Sequence, residues 1–227
     1  MSGHSKWSTI KRKKGALDQK RGKLFSSMGR EITISARLFG SDIDTNPRLR
    51  QAIKKAKSIN MPNANIDKAI KKGAGELENV IYEEASYEGY GPSGIAVFIE
   101  AITDNRNRTV AEIRHVLSKF GGSLGQNGSV AWNFNKMGIV FIEDSNMSEE
   151  EALNLSVEVD ANDFKFEDKF FKIFFDHNVL YEKIELIPKN FVEISDEDFS
   201  TIEKLIDALD DLEDVQNVYS NYKIKGN

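Results

Sequence analysis

Apolar positions recur along this chain with two different periods, and the change from one to the other divides it. Leu24, Phe25, Met28, Ile32, Ala36 and Phe39 return every three or four residues, so the spacing predicts a helix with one apolar face that stops at Gly40. NPRLRQAIKKAK predicts a second, with Asn46 as N-cap, Pro47 at the first helical position, and Leu49, Ala52, Ile53 and Ala56 buried. NIDKAIKKG predicts a third, burying Ile66, Ala69 and Ile70 before Gly73. Short amphipathic helices joined by turns make a small helical domain.

After the GAG at 73–75 the period falls to two. VIYEEASYEGY and IAVFIEAIT read as strands joined by the turn GPSG, and SVAWNF at 129–134 reads as a third strand. Between them RTVAEIRHVLSKFGG reads as a helix, with Thr109 and Glu112 as a capping box and Val110, Ile113, Leu117 and Phe120 as its apolar face. Strands mixed with helices imply an α/β sandwich. A second alternating unit follows: MGIVFIED as a strand, SNMSEEEALNLSVEV as a helix, then KFFKIFF and YEKIELI as strands. Ser195 introduces the helix DEDFSTIEKLIDALDDL, and VQNVYSNYKI closes the chain as one strand. This return to a strong helix and strand is compatible with an inserted domain, which pattern alone leaves open.

Charge adds what periodicity does not. Residues 1–75 carry 18 Lys and Arg against 5 Asp and Glu, a net +13, whereas the rest carries 13 against 31, a net −18. An asymmetry of this size points to a polyanionic partner for the basic end, with the acidic remainder orienting the approach. Lys23, Arg30 and Arg37 follow at seven-residue intervals, a basic stripe with its back to the core, and the second helix exposes Arg48, Arg50, Lys54, Lys55 and Lys57. The 227 residues contain no Cys, which removes thiolate chemistry and Cys-bearing zinc sites and suits a reducing, cytoplasmic setting. The longest apolar run, IAVFIEAI, is broken by Glu100 and far shorter than the roughly 20 residues of a membrane helix.

Several local features offer chemistry. In MSGHSKWSTIKRKKG no apolar stretch follows the basic residues, as a signal peptide requires, and His4 is a single metal ligand far in sequence from His115 and His177. A basic arm remains, in which Trp7 either anchors the arm on the helices or offers its ring to a base. EGYGPSG lacks the Gly-Lys-Ser/Thr ending of a phosphate loop and leads into a strand, so it reads as a tight turn. TDNRNRT sets Arg106 and Arg108 just before a helix start, where the macrodipole disfavours cations; either they form an anion site, or Asp104 pairs with one of them while Asn107 caps the turn. Three scattered His, no Cys and no paired-carboxylate motif leave no recognisable catalytic set. The acidic helix at 196–214 reads as a solvated face, with a protein partner as the alternative.

GHSKW at 3–7, KRGK at 20–23, NPRLR at 46–50, NMP at 60–62, YEGYGPSG at 87–94, TDNRNRTVAEIRH at 103–115, GGSLGQNGSVAWNF at 121–134 and DVQNVYSN at 214–221 resemble the YebC/PmpR family of bacterial gene-expression regulators. The resemblance spans nearly the whole chain. It implies an α+β multidomain fold: an N-terminal three-helix domain over 1–75, a central α/β sandwich domain over 76–136 plus 196–227, and a ferredoxin-like domain inserted at 137–195. It implies a DNA-binding transcriptional regulator; relatives include a mitochondrial translational activator of cytochrome c oxidase, and a ribosome-associated factor binding rRNA or tRNA is the alternative. This chain departs from the pattern between KIFF and ELIPKNF, where only DHNVLYEKI stands in place of a longer crossover helix.

Together these readings describe a non-enzymatic nucleic-acid-binding regulator that needs no cofactor and no metal. Its candidate phosphate contacts are Lys6, Lys11, Arg12, Lys13, Lys14, Lys20, Arg21, Lys23, Arg30, Arg37, Arg48, Arg50, Lys54 and Lys55, with Arg106 and Arg108 as a second anion site. Neither oligomeric state nor the choice between DNA and RNA follows from the sequence.

Overall fold

The computed structural model describes the backbone over residues 3–77, 81–142, 148–159, 161–167, 170–176 and 183–225, and side chains over 21–77, 81–140, 148, 150–159, 161–165, 171–175 and 185–225. Within them it is a mixed helix-and-sheet molecule.

Helix α1 (Gly3–Phe39) is one continuous helix that takes in the basic arm. Helices α2 (Pro47–Ser58) and α3 (Asn63–Gly73) pack on its C-terminal half. Phe25, Met28, Ile32 and Ala36 meet Leu49, Ala52, Ile53, Ala56, Met61, Ile66 and Ala69 in one core. Leu24 and Phe39, read as part of that face, are exposed. Helices of 12 and 11 residues reach only about 18 Å along a partner roughly 55 Å long, so the ends of the predicted stripe have nothing to pack on.

Two close contacts fix this unit. Asn46 is wholly buried: its Oδ1 accepts from the Leu49 backbone N–H at 3.0 Å, and its amide nitrogen donates to the Ser35 and Gly40 carbonyls near the end of α1. Gly73 lies so near α1 that a Cβ there would sit 2.4 Å from the Thr33 carbonyl oxygen.

Strands β1 (Glu83–Tyr90) and β2 (Ala96–Thr103) form a hairpin through the Gly91–Ile95 turn, confirming the tight-turn reading of GPSG. Helix α4 (Arg106–Lys119) follows, then β3 (Ser123–Leu124), whose two residues give no periodic signal. SVAWNF is not a strand. The Glu88 carboxylate accepts from the backbone N–H groups of Gly128, Val130 and Ala131, taking donors a ladder would need; a short 3₁₀ turn at Ala131–Asn133 leads instead into β4 (Phe134–Ile142). Nor do Thr109 and Glu112 cap α4. Asn105 does, accepting from the Arg108 N–H, while the Thr109 hydroxyl is buried.

Helix α5 (Glu149–Glu158) starts at a capping box of Ser148 and Glu151. Strands β5 (Asp163–Glu167), β6 (Phe170–Asp176) and β7 (Lys183–Pro188) complete a sheet of order β5-β6-β4-β7, antiparallel throughout. β6 and β7 flank β4, so their link crosses it. Asp176 stands opposite Met137 and Lys183 opposite Ile139, so the chain returns by only two residues along β4. Two strand spacings across and two residues back is about 12 Å, within reach of a six-residue link. The shortened segment noted in the sequence falls largely on residues 177–182, outside the described residues.

The chain then comes home to the first sheet. Strand β8 (Val192–Ile194) and helix α6 (Asp196–Asp210) precede β9 (Val215–Ser220), which pairs antiparallel with β2 and gives the order β3-β1-β2-β9. α4 and α6 cover one face, burying Ile95, Val97, Ile99, Ile113, Leu117, Ile202, Leu205 and Leu209. The other face carries Ala96 and Phe98 against Val130, Phe134, Leu186 and Tyr219, which join the two four-stranded sheets. The predicted closing strand is two, β9 and β10 (Tyr222–Ile224), separated at Asn221. That residue turns its side-chain oxygen to the Ala96 N–H and its amide to the Asn190 carbonyl, and β10 pairs in parallel with β8.

Candidate nucleic-acid interface

The cations of the helical unit divide by direction. On α2, Arg50, Lys54 and Lys57 are spaced as one helical face and are exposed; Arg50 donates to the neutral Ile43 and Asp44 carbonyls. Arg37 on α1 and Lys68 and Lys71 on α3 are exposed as well, and Arg21 lies over the Phe25 ring at 5.4 Å. Lys68 and Lys71 were not among the residues chosen from the sequence. Their three-residue spacing in NIDKAIKKG, opposite Ile66 and Ala69, is the signal that identifies them.

A second set faces inward. Arg48 and Lys55, seven residues apart on α2, look toward the sheets. Arg48 forks onto Glu31 at 2.8 and 3.0 Å and reaches Glu84 at 2.6 Å, while Lys55 lines a cleft of about 670 Å³ whose walls include Glu185 and Asp210. Burial works against the Arg48 charge, but the bonds to Glu31 and Glu84 outweigh it and raise its pKa.

The seven-residue stripe of α1 is divided in the same way. Arg30 is buried and donates to the Glu213 carbonyl and, at 2.6 Å, to the Glu213 carboxylate, with the Asp214 carboxylate 3.4 Å away. Lys23 stands 3.9 Å from Asp211, and burial lowers its pKa despite Asp211 and Asp210. Asp210 is itself pushed up, by burial first and then by its acidic neighbours, against the pull of Lys23. Only Arg37 of the three points to solvent. The stripe is therefore a seam against the loop after α6, and its back-to-the-core orientation holds only at its end. A heptad spacing shows that charges share a face, not what that face meets.

Arg106 and Arg108 are also engaged. Arg106 bonds Glu83 at 2.8 Å and the Glu84 carbonyl, and Arg108 bonds Asp104 at 2.8 Å and Asp214 at 2.7 Å. The rigid-loop reading of TDNRNRT thus describes the geometry, with Asn105 rather than Asn107 as the cap. The side chains of Lys6, Trp7, Lys11, Arg12, Lys13, Lys14 and Lys20, and those of His4 and His177, lie outside the described residues. Among the described residues no group of three His, Cys, Asp or Glu could hold a metal, and no helix is long and apolar enough to cross a membrane.

Asp214 is the centre of this arrangement. Wholly buried, it accepts from Arg108, from the Thr109 hydroxyl at 2.7 Å and from the Thr103 hydroxyl at 3.1 Å. Burial would raise its pKa; bonds from Arg108 and Thr109, the Arg30 charge and the Thr103 bond together hold it below the ordinary carboxylate range.

A basic helical unit tied by ion pairs to the first of two antiparallel sheets, which the late strand β9 completes, defines an α+β protein with its cations concentrated on one unit. The chain belongs to the TACO1/YebC family. Residues 5–76 match the family's N-terminal domain and residues 82–222 its second and third domains. It is 51% identical to a "probable transcriptional regulatory protein" of Chloroherpeton thalassium over 99% of this chain and 96% of that one. A protein of the same description from Prosthecochloris aestuarii is 50% identical over 97% and 95%. A crystal structure of a conserved hypothetical protein from Aquifex aeolicus superposes with a TM-score of 0.79, at 43% identity and 92% coverage of both chains.

Proposed function

We propose that this chain is a non-enzymatic regulator of gene expression that docks on nucleic acid through the outer cations of its helical unit. The observation that carries the reading is the exposed face of Arg50, Lys54 and Lys57 on α2, supported by Arg37, Lys68 and Lys71 on the neighbouring helices. Cations on rigid helices neutralise phosphates and release condensed counterions, which fixes position without reading sequence. The names of the relatives, which describe regulators of transcription, support DNA as the polyanion and a cytoplasmic site of action.

The domain division that goes with this reading is 1–75, 76–136 with 196–227, and 137–195 inserted. The return of β9 to pair with β2 and the sheet order β5-β6-β4-β7 support it, the latter being the order of a ferredoxin-like βαββαβ unit.

A second reading, rRNA or tRNA on the ribosome, is favoured by the exposed Trp132, since an exposed aromatic ring suits the splayed, unpaired bases that RNA loops present. Binding to duplex promoter-length DNA and to purified ribosomes, measured side by side at physiological salt, separates the two. Retention on DNA alone supports transcription, co-sedimentation with ribosomes alone supports translation, and binding to neither one overturns the docking reading.

A further inference from the structure

Among the described residues, three of the four exposed large aromatics gather in one place, the fourth being Phe39 at the end of α1. Tyr90, Trp132 and Phe191 belong to segments bonded to one another, whereas the exposed side chains elsewhere are mostly aliphatic. Trp132 is 63% exposed, against the usual preference of so large a ring for burial.

The ring is nonetheless fixed. Its indole N–H donates to the Ser129 carbonyl at 3.0 Å, and the Tyr90 hydroxyl donates to the same oxygen at 2.9 Å. The polar edges of both rings are thus engaged, and ring surface is what remains for a ligand. Glu88 holds the loop beneath, accepting from Gly128 at 2.6 Å, Val130 at 2.7 Å and Ala131 at 2.8 Å. On the far side the buried Asn133 accepts from the Asn190 backbone and amide and donates to its carbonyl. That clip holds Phe191, 49% exposed, and the exposed Lys189 in the segment bonded next to Trp132.

We propose that this cluster is a stacking platform for unpaired nucleobases, with Trp132 as the principal ring, Phe191 and Tyr90 flanking it, and Lys189 placed for the adjoining phosphate. Ordering the rings before binding removes the entropy that a ligand would otherwise have to overcome. A base presents a π-face whatever its identity, and an aromatic beside a cation is the arrangement that captures single strands. The exposed neighbours Gln126 and Asn127 carry amides able to meet base edges, and no exposed aliphatic side chain borders them in the loop, which favours a base over an apolar peptide. The inference rests on the proposal that the chain binds nucleic acid, and it names the form taken at this cluster, unpaired nucleotides, while the outer cations meet phosphates of either form.

The chain has two Trp, Trp7 and Trp132, so a Trp7→Phe variant isolates the fluorescence of the second. It is titrated with a ten-nucleotide single-stranded RNA, with the DNA of the same sequence and with the corresponding duplexes, following both Trp quenching and the anisotropy of labelled strands. Single strands quench Trp132 and duplexes do not; Trp132→Ala weakens single-strand affinity roughly tenfold or more and leaves the salt slope unchanged, while Trp132→Phe restores most of it. A stronger effect with RNA than with DNA identifies RNA as the source of the bases, and the reverse identifies DNA. Unaltered single-strand affinity in both Trp132 variants, with no quenching, overturns the platform and leaves docking intact. If the unaltered chain binds no nucleic acid, the docking proposal itself fails. Should Trp7→Phe not fold, the difference in quenching between the unaltered chain and Trp132→Phe gives the same reading.

Discussion

The Arg30 guanidinium lies 3.4 Å from the Asp214 carboxylate, joining the helix that begins the chain to the turn that precedes its last strands. Arg108 meets the same carboxylate from α4. Of the cations read from the sequence as nucleic-acid contacts, Arg30 thus ties the helical unit to the rest of the protein, and Arg108 ties α4 to the turn before β9.

Asp214→Asn is expected to destabilise the protein by about 3–5 kcal/mol, because it removes the charge of a wholly buried carboxylate that accepts from Arg108, Thr109 and Thr103 and faces Arg30. The shift in the midpoint of urea unfolding measures it. A loss below about 1 kcal/mol would mean that the cluster contributes little.

Acid should act through the same group and through Glu88. Burial raises the Glu88 carboxyl, but three backbone N–H bonds outweigh it, so both carboxylates sit below their ordinary pKa. A depressed folded pKa gives stability that is present above the unfolded value of about 4 and is lost as pH falls through the folded one. Urea unfolding followed from pH 7 to pH 2 should show stability falling below about pH 4, and the fall should be shallower in Glu88→Gln.

Asn46 gives a test of the helical unit alone. Asn46→Asp keeps the acceptor that caps α2 but deprives the Ser35 and Gly40 carbonyls of their donor, whereas Asn46→Ala loses both. Thermal unfolding should rank the native chain above both variants, each by about 1–3 kcal/mol.

Gly73→Ala reverses the usual helix preference. Alanine ordinarily favours a helix over glycine by about 1 kcal/mol. Here the added Cβ would meet the Thr33 carbonyl at 2.4 Å and the Ala36 Cβ at 2.7 Å, so α3 must move off α1 at a cost of about 1–3 kcal/mol. An unchanged melting temperature would contradict that packing.

How far the sequence carried this picture depends on what each signal reports. Asn46 and Pro47 opened α2 as local rules require, and Leu49, Ala52, Ile53 and Ala56 were buried as their period demanded. SVAWNF failed because its backbone donors go to Glu88, some forty residues away, a partner no local pattern reveals. At the candidate site, the cationic character of the helical unit was plain, but its direction was not. Lys23 and Arg37 share a spacing, yet only one meets an acidic loop brought from residues 210–214 by the fold. The exposed ring of Trp132 was hidden for a similar reason, since an aromatic in a predicted strand is ordinarily read as core.

In the proposed docking mode the outer faces of α2 and α3, not the Lys23–Arg30 seam, meet the phosphates. The most direct test is the slope of log binding constant against log salt for the unaltered chain, for Arg50→Glu/Lys54→Glu/Lys57→Glu, and for Lys23→Gln. Each phosphate contact contributes about 0.9 to that slope on duplex DNA and about 0.7 on single strands. The triple variant should bind weakly with a slope lower by roughly 3 on duplex DNA and roughly 2 on single strands, and Lys23→Gln should keep the native slope. A native slope in the triple variant, or a lowered one in Lys23→Gln, would contradict the account.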